Sequence, residues 1–414
     1  MKFFHLADLH FGKSIHGVSL LENGDQPFWV DQFITLVKEK RPDAVVIAGD
    51  VYDRSSPSGD AVQLLSRMLT ELSELDIPVM LTAGNHDSVQ RLSFASSILA
   101  QQGLHISRSL FGSAELSHVT LEDEYGPVTF WLMPYVYPAL ISQVLGTEFP
   151  RDSDAAVRAL LSAQNVDYSQ RNILVAHQNV TANGLEAIRG GSESMVGGVG
   201  QIDYTAFDGF DYVALGHIHA PCHIGRESVR YAGSPLCYHF NEIRQPQKGP
   251  ILVEIGEKGE PVRTELLSIP PLHPMREMRG SFQELQDAEL AFPRKGEYLR
   301  LVLTDCRLSP EICTFFEDLA RERGSILMDR CSEYDPFSSD LVSPSSQGVE
   351  QKSVSSLFED FYKERCNGEI PSEKDRQLFD FAQDLLHHAD IYAQPSEAEV
   401  SQLLRFMMEQ EDSE

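Results

Sequence analysis

Six short apolar runs recur through the first half of the chain, and five of them end in a polar motif built from Asp, Asn or His. The runs are Phe3–Ala7, Ala44–Ala48, Val79–Thr82, Val128–Met133, Ile173–Ala176 and Tyr212–Leu215. Each is short and apolar enough to be a candidate strand. Helical spacing of apolar residues fills Phe28–Glu39 and Ala61–Leu75, between the first three runs. Strand–helix–strand alternation predicts an α/β domain with parallel pairing. The later strands arrive with less helix between them, which predicts a mixed sheet or a two-sheet sandwich. The pattern breaks at Ile269-Pro270-Pro271 and Pro274.

With 414 residues the chain has room for two to three units. A second unit is expected over about residues 275–334, with a strand at Tyr298–Leu303 and a helix from Ser309 to Arg323, Ser309 as N-cap and Pro310 in the first turn. Residues 336–353 are rich in Ser, Pro and Gly and read as a linker. The tail, 354–414, has helical apolar spacing, at Leu357, Phe358, Phe361 and Tyr362 among others. Helices beyond a linker suit docking onto another protein as readily as folding back on their own domain. No eighteen-residue apolar run is present, and the first residues turn polar too soon for a signal peptide, so no membrane span or export is expected. Six cysteines without a Cys-x-x-Cys pair read as reduced, mostly buried thiols of a cytoplasmic protein. A net charge of −28, from 34 basic and 62 acidic residues, opposes long-range attraction to nucleic acid or anionic membrane.

The motifs are Asp8-Leu9-His10, Gly49-Asp50-Val51-Tyr52-Asp53, Gly84-Asn85-His86-Asp87, Ala176-His177-Gln178 and Gly216-His217-Ile218-His219. Taken singly each has a dull reading: a turn, a helix cap, a satisfied core histidine. Ligands of open α/β sheets bind beyond the carboxyl ends of the strands, so five such motifs would share one crevice. In His217-Ile218-His219, strand alternation would turn both rings to one side. Imidazole, carboxylate and carboxamide donors without thiolate suit Mn²⁺, Fe or Zn better than Mg²⁺. Seven such ligands are too many for one open ion and suit a pair sharing a carboxylate, which points to hydrolysis of a phosphate ester. Gly12-Lys13-Ser14 resembles the end of a phosphate loop, but the first glycine is missing and Asp8 would sit inside the cradle.

In this order the five motifs resemble the calcineurin-like metallophosphoesterase superfamily over about residues 1–240. The stretches His5–Lys13, Gly49–Ser58, Gly84–Ser88, Phe210–His219 and Tyr231–Leu236 are similar, more closely, to the SbcD family, the nuclease subunit of the SbcCD complex. Serine/threonine phosphatases share Gly-Asp-x-x-Asp-Arg but differ where this chain has Ser55 and Asp87. The resemblance implies an α/β/β/α sandwich over residues 1–270, a small α+β capping domain over 275–334 that seats DNA, and a helical C-terminal tail, 354–414. By similarity Asp8, His10, Asp50 and His219 would hold one metal, and Asp50 (bridging), Asn85, His177 and His217 the other. His86 would be the catalytic histidine, Asp87 its orienting partner, and Asp53 a support for a ligand. Implied cofactors are two divalent ions, Mn²⁺ ahead of Mg²⁺. The tail would grip an SbcC-type ATPase, with a homodimer inside a heterotetramer. The implied activity is ATP-dependent double-strand exonuclease and single-strand or hairpin endonuclease in DNA repair, recombination and replication. The alternative, which the net charge favours, is a phosphoesterase acting on a small molecule or a phosphoprotein. Lys13, Arg54, Arg91 and Arg108 are candidate phosphate contacts.

Overall fold

The computed structural model describes residues 1–149, 152–182, 184–186, 200–244, 247–287 and 296–334, and in the tail 358–359, 362–363, 370–372 and 376. It divides into two units, Met1–Tyr334 and Asp335–Glu414. In the second, the described positions 358–359 and 362–363 are helical, and Arg376 pairs with Glu359 at 3.1 Å. The expected linker, 336–353, and most of the expected tail helices lie outside the described residues.

Two six-stranded sheets make up most of the first unit. The first runs Arg263–Leu266, Ile251–Glu254, Lys2–Leu6, Ala44–Ala48, Val79–Thr82, Leu104–Ile106. Its last four strands are parallel to one another, and the Ile251 strand closes antiparallel on the Lys2 strand. The second runs Cys222–Ile224, Arg226–Tyr231, Tyr212–Gly216, Arg171–His177, Gly126–Met133, Ser117–Asp123, parallel in its centre and antiparallel at both edges.

Alternation along each strand sorts the side chains into layers. Val46, Ala48, Ile173, Val175, Tyr212 and Ala214 face between the sheets in one core. Their neighbours Val45 and Ile47 turn outward onto the helices Asp25–Lys40 and Gly59–Glu74, through Trp29, Phe33, Leu65 and Met68. On the other side Leu174, Ala176, Val213 and Leu215 meet Ile141, Val157, Leu160 and Leu161 of two helices, Pro138–Leu145 and Ser153–Ser162. The result is helix, sheet, sheet, helix, and it explains why the central strands are apolar at every position. The sandwich is the expected fold, with the helices Pro138–Leu145 and Ser153–Ser162 and the outer strands of both sheets among the elements that sequence pattern did not supply.

A third sheet of three parallel strands, Met275–Gly280, Tyr298–Leu303 and Ile326–Ser332, carries the helices Phe282–Asp287 and Pro310–Glu322. Ser309 caps the second helix by accepting from the Ile312 N–H at 3.3 Å. Leu299, Leu301, Leu303, Phe316 and Ala320 make its own core, whereas Tyr298 and Met328 join the core of the first sheet. Tyr298 donates to the buried Asp25 carboxylate at 2.5 Å, and His273 lies 2.9 Å from the other Asp25 oxygen. The five described cysteines are free, but half-buried rather than buried.

At the rim of the second sheet Arg171, 2% exposed, makes a bidentate pair with Asp123 at 2.5 and 2.9 Å. This pairing holds the Asp123 carboxyl well below the usual carboxylate range. Stability from such a depressed group is fully present above its unfolded value near 4 and is lost as pH falls further. Asp123→Asn is expected to cost about 3 kcal/mol at neutral pH, because it leaves Arg171 buried without its counter-charge. The gap to the parent should shrink below about pH 4. Urea unfolding of both proteins across pH 3–7 checks this.

Candidate metal centre

Because the central strands of both sheets run parallel, their carboxyl ends share one edge, and the five motifs follow there. Asp8 and His10 leave the Lys2 strand, Asp50 the Ala44 strand, and Asn85 and His86 follow the Val79 strand. From the second sheet, His177 ends the Arg171 strand and His217 and His219 follow Gly216. Backbone conformation aims them: Asp8, His10, Asp50 and His217 all have positive φ, at 53, 43, 48 and 99°. Non-glycine residues held this way cost about 1–3 kcal/mol each, and such strain gathers where side chains must converge.

Two adjoining groups result. Asp8, His10 and His219 bring one ligand atom each within 4.8 Å of one another, as do Asp8, Asp50 and His177. His10 Nε2 lies 3.2 Å from His219 Nε2 and 3.6 Å from Asp50 Oδ2. Asn85 Oδ1 lies 3.0 Å from His177 Nε2 and 3.2 Å from His217 Nδ1. Asp50 Oδ2, 3.3 Å from His177 Nε2, stands between the groups. All seven residues proposed from sequence therefore meet. The two histidines of His217-Ile218-His219 do not share a face, however. The strand ends at Gly216 and the positive φ of His217 splits them, one ring to Asn85 and His177, the other to His10.

Hydrogen bonds behind the ligands settle which nitrogens face inward. His177 Nδ1 donates to the Ala48 carbonyl at 2.8 Å, and His219 Nδ1 donates to Glu242 Oε1 at 3.3 Å. In neutral rings both Nε2 atoms are then lone pairs, yet His177 Nε2 faces the acceptors Asn85 Oδ1 and Asp50 Oδ2, and His219 Nε2 faces His10 Nε2. His10 Nδ1 is buried with no hydrogen-bond partner. Such a set is repulsive unless a cation or a proton enters it, so these residues fit divalent metal. At His177 a proton is favoured in the bare protein, whereas burial holds His10 well below the usual imidazole range. Burial alone would lower His177, but the Asp50 and Asp8 carboxylates outweigh it and raise it to about 9. Burial pushes Asp8 up to about 6, whereas Asp50 is held well below the usual range, the burial cost being outweighed by His177, His10 and His86. Metal uptake must then release protons.

His86 sits apart in character. Its ring is within 4.8 Å of His10 and Asp50 donor atoms but is 27% exposed at the crevice, and its Nδ1 donates to the Asp53 carbonyl at 2.9 Å. The Asp87 carboxylate does not serve it as expected. It instead accepts the backbone N–H groups of Val51, Tyr52 and Gly84 at 2.9–3.1 Å, tying two ligand loops together. Burial, and then the Asp50 charge, push its carboxyl up to about 6. Asp53 faces His10 at 3.7 Å and is paired with Lys13 at 2.7 Å, so Lys13 is already engaged, while Arg54 is largely exposed.

Residues 1–221 match the family model of the calcineurin-like phosphoesterases. The chain belongs to that family. Within it, the chain is 33% identical to the D subunit of the nuclease SbcCD from Staphylococcus saprophyticus over 308 residues, 73% of this chain and 78% of the relative. The protein of the same name from Staphylococcus epidermidis is 30% identical over 311 residues, 74% and 79% of the two chains. This places the phosphoesterase in the SbcD group. A crystal structure of TT1561 from Thermus thermophilus aligns with 64% of this chain and 98% of its own at TM-score 0.37 and 11% identity. As a calcineurin-like phosphoesterase the protein is a metal-dependent phosphodiester hydrolase.

Two glycines of the phosphoesterase motifs make room for this centre. A Cβ on Gly84 would lie 2.1 Å from Asp50 Oδ1, and one on Gly216 would lie 1.9 Å from the Ala48 carbonyl and 2.7 Å from His177 Nδ1. Gly216→Ala is expected to force the two sheets apart at their carboxyl edge, lowering stability by about 1–3 kcal/mol. Mn²⁺ binding should fall with it, because the same carbonyl orients His177. Calorimetric titration with Mn²⁺ on the folded variant checks this. Sequence reading missed the residues behind the ligands, Glu242, Lys248 and Gln26. Gln26 braces the first motif, donating to the His10 carbonyl at 2.8 Å and accepting from the Gly12 N–H at 2.9 Å. None of these sits in a strand-end motif, so pattern alone carried no signal for them.

Proposed function

We propose that this phosphoesterase is the two-metal nuclease subunit of an SbcCD-type, ATP-dependent complex that cuts double-strand ends and single-strand or hairpin DNA in repair and recombination. The observation that carries the reading is the meeting of Asn85, His177 and His217 with Asp50, beside Asp8, His10 and His219, at one sheet edge. Asp8, His10, Asp50 and His219 would hold one divalent ion, and Asp50, Asn85, His177 and His217 the other. Such ions supply positive charge to a phosphate oxygen and acidify an attacking water. The imidazole-rich set favours Mn²⁺ over Mg²⁺. His86, anchored through Nδ1 to the Asp53 carbonyl, presents Nε2 to the crevice, where it can protonate the leaving oxygen.

The relatives' name supports DNA cleavage and pairing with an SbcC-type ATPase. The −28 net charge stands against DNA, but the tail from Gln351 carries fifteen acidic and six basic residues of it, and two ions would place positive charge at the crevice. Residues 275–334 would cap the substrate, and residues 354–414 would dock the ATPase. Phe94 and Ile98, 80% and 68% exposed just past the His86 motif, support a homodimer. Among the described residues no helix is long and apolar enough to cross a membrane; cytoplasmic placement is part of this reading.

Hairpin and blunt duplex DNA should be cleaved in Mn²⁺, with the ATPase partner and ATP extending the activity on duplex ends. Turnover of small phosphate esters or phosphoprotein without DNA cleavage would instead favour a phosphatase. Deleting 354–414 should abolish capture of the ATPase partner while Mn²⁺ binding persists, and undiminished capture would refute the docking role.

A further inference from the structure

Behind His219 the protein buries an ion pair that none of the strand-end motifs contains. Glu242 lies in the short turn Phe240–Arg244, and both it and Lys248 are 4% exposed. Glu242 Oε1 accepts from His219 Nδ1 at 3.3 Å, and Oε2 accepts from Lys248 Nζ at 2.7 Å. The Tyr238 N–H also reaches Oε2, at 3.2 Å. Lys248 fills its remaining donor positions with Ser234 Oγ at 2.7 Å and the His219 carbonyl at 2.9 Å. One ammonium thus grips the His219 backbone directly and its ring through Glu242.

A buried ion pair is seldom the cheapest way to fill a core, since apolar residues of the same volume are often as stable or more so. Here both charges converge on one histidine, and the far nitrogen of that histidine faces His10 Nε2 at 3.2 Å. Histidines that bind metal commonly give their other N–H to a carboxylate, which fixes the tautomer and raises the basicity of the ligating nitrogen.

We propose that Glu242 and Lys248 are a positioning pair for His219: Glu242 holds its proton on Nδ1 and Lys248 fixes both the carboxylate and the backbone, so that Nε2 is presented to metal. This rests on the metal-centre reading above and assigns to that centre a support from outside the five motifs. The pair touches no substrate, and its action passes entirely through His219.

The test uses the full chain stripped of metal, with Mn²⁺ alone as the probe. Ring-labelled histidine ¹⁵N spectra of the metal-free protein, with His219 assigned from a His219→Gln variant, should show the Nδ1–H tautomer. Glu242→Ala should lose that preference and weaken one of the two Mn²⁺ affinities by about 10–100-fold in calorimetric titration, with the other far less changed. Glu242→Gln keeps an acceptor for Nδ1–H; it should retain the tautomer and lose about tenfold in the same affinity. A Glu242→Ala protein that keeps the Nδ1–H tautomer and both affinities overturns the inference. If Glu242→Ala does not fold, Glu242→Gln decides, and unchanged Mn²⁺ affinity there overturns it as well. Absence of Mn²⁺ binding by the parent protein would overturn the metal-centre reading and this inference with it, whereas parental binding unaffected by the variants would overturn the inference alone.

Discussion

Replacing His86 with alanine should slow DNA cleavage by about 10²–10⁴-fold while the protein still binds its metal, the range usual for losing a general acid. The expectation follows from what His86 touches. Its Nδ1 is committed to the Asp53 carbonyl, and its backbone N–H donates to Asp50 Oδ1 at 2.9 Å. The loop therefore stays anchored through the main chain when the ring is removed. His86 Nε2 lies 3.9 Å from Asp50 Oδ2, close enough to serve the same phosphate as the two ligand groups. Its side chain is 27% exposed, half-buried like Asn85 and His217, whereas those of His10, His177 and His219 are at 2%, 0% and 3%. A ligand would be expected to take metal affinity with it, and a proton donor would not. Single-turnover cleavage of a hairpin in Mn²⁺, alongside calorimetric Mn²⁺ titration, separates the two. Loss of an ion in His86→Ala would make His86 a ligand instead.

Asp50→Asn should be the more severe substitution, removing both ions and at least about a thousandfold of activity, since metal charge supplies several kcal/mol of transition-state stabilisation. Asp50 Oδ2 is within 3.3 Å of His177 Nε2 and 3.6 Å of His10 Nε2, so one oxygen addresses both groups. An asparagine keeps the size but not the charge, and a carboxamide oxygen is a poor bridge between two cations. In the metal-free parent this carboxylate is also the chief influence raising His177 against the cost of burial. Asp50→Asn should therefore release fewer protons on Mn²⁺ addition as well as binding less of it. Proton release measured in weakly buffered solution, together with bound Mn²⁺ by elemental analysis, checks both effects.

Much of this centre could be read from the sequence because its ligands follow strands, and strand ends are marked by sharp changes from apolar to polar residues. The Ala44–Ala48, Val79–Thr82 and Tyr298–Leu303 strands fall where their apolar runs do. Other strands, such as Arg226–Tyr231 and Arg263–Leu266, carry charged and polar residues at most positions, so their pairing is decided by tertiary contacts. What local pattern could not supply was direction and support. The opposed settings of His217 and His219 depend on a φ of 99° at His217, which period-two alternation cannot anticipate. The part played by Asp87 depends on three N–H groups, two of them in another loop more than thirty positions away. Glu242 and Lys248 reach His219 from 23 and 29 positions further along the chain, through a turn with no motif of its own.

The central claim is that two divalent ions sit side by side across Asp50. Crystals soaked in Mn²⁺ and measured at the manganese absorption edge test it most directly. Two anomalous peaks are expected about 3.5–4 Å apart, one ligated by Asp8, His10, Asp50 and His219 and the other by Asp50, Asn85, His177 and His217. A single peak, or peaks away from Asp50, would contradict it.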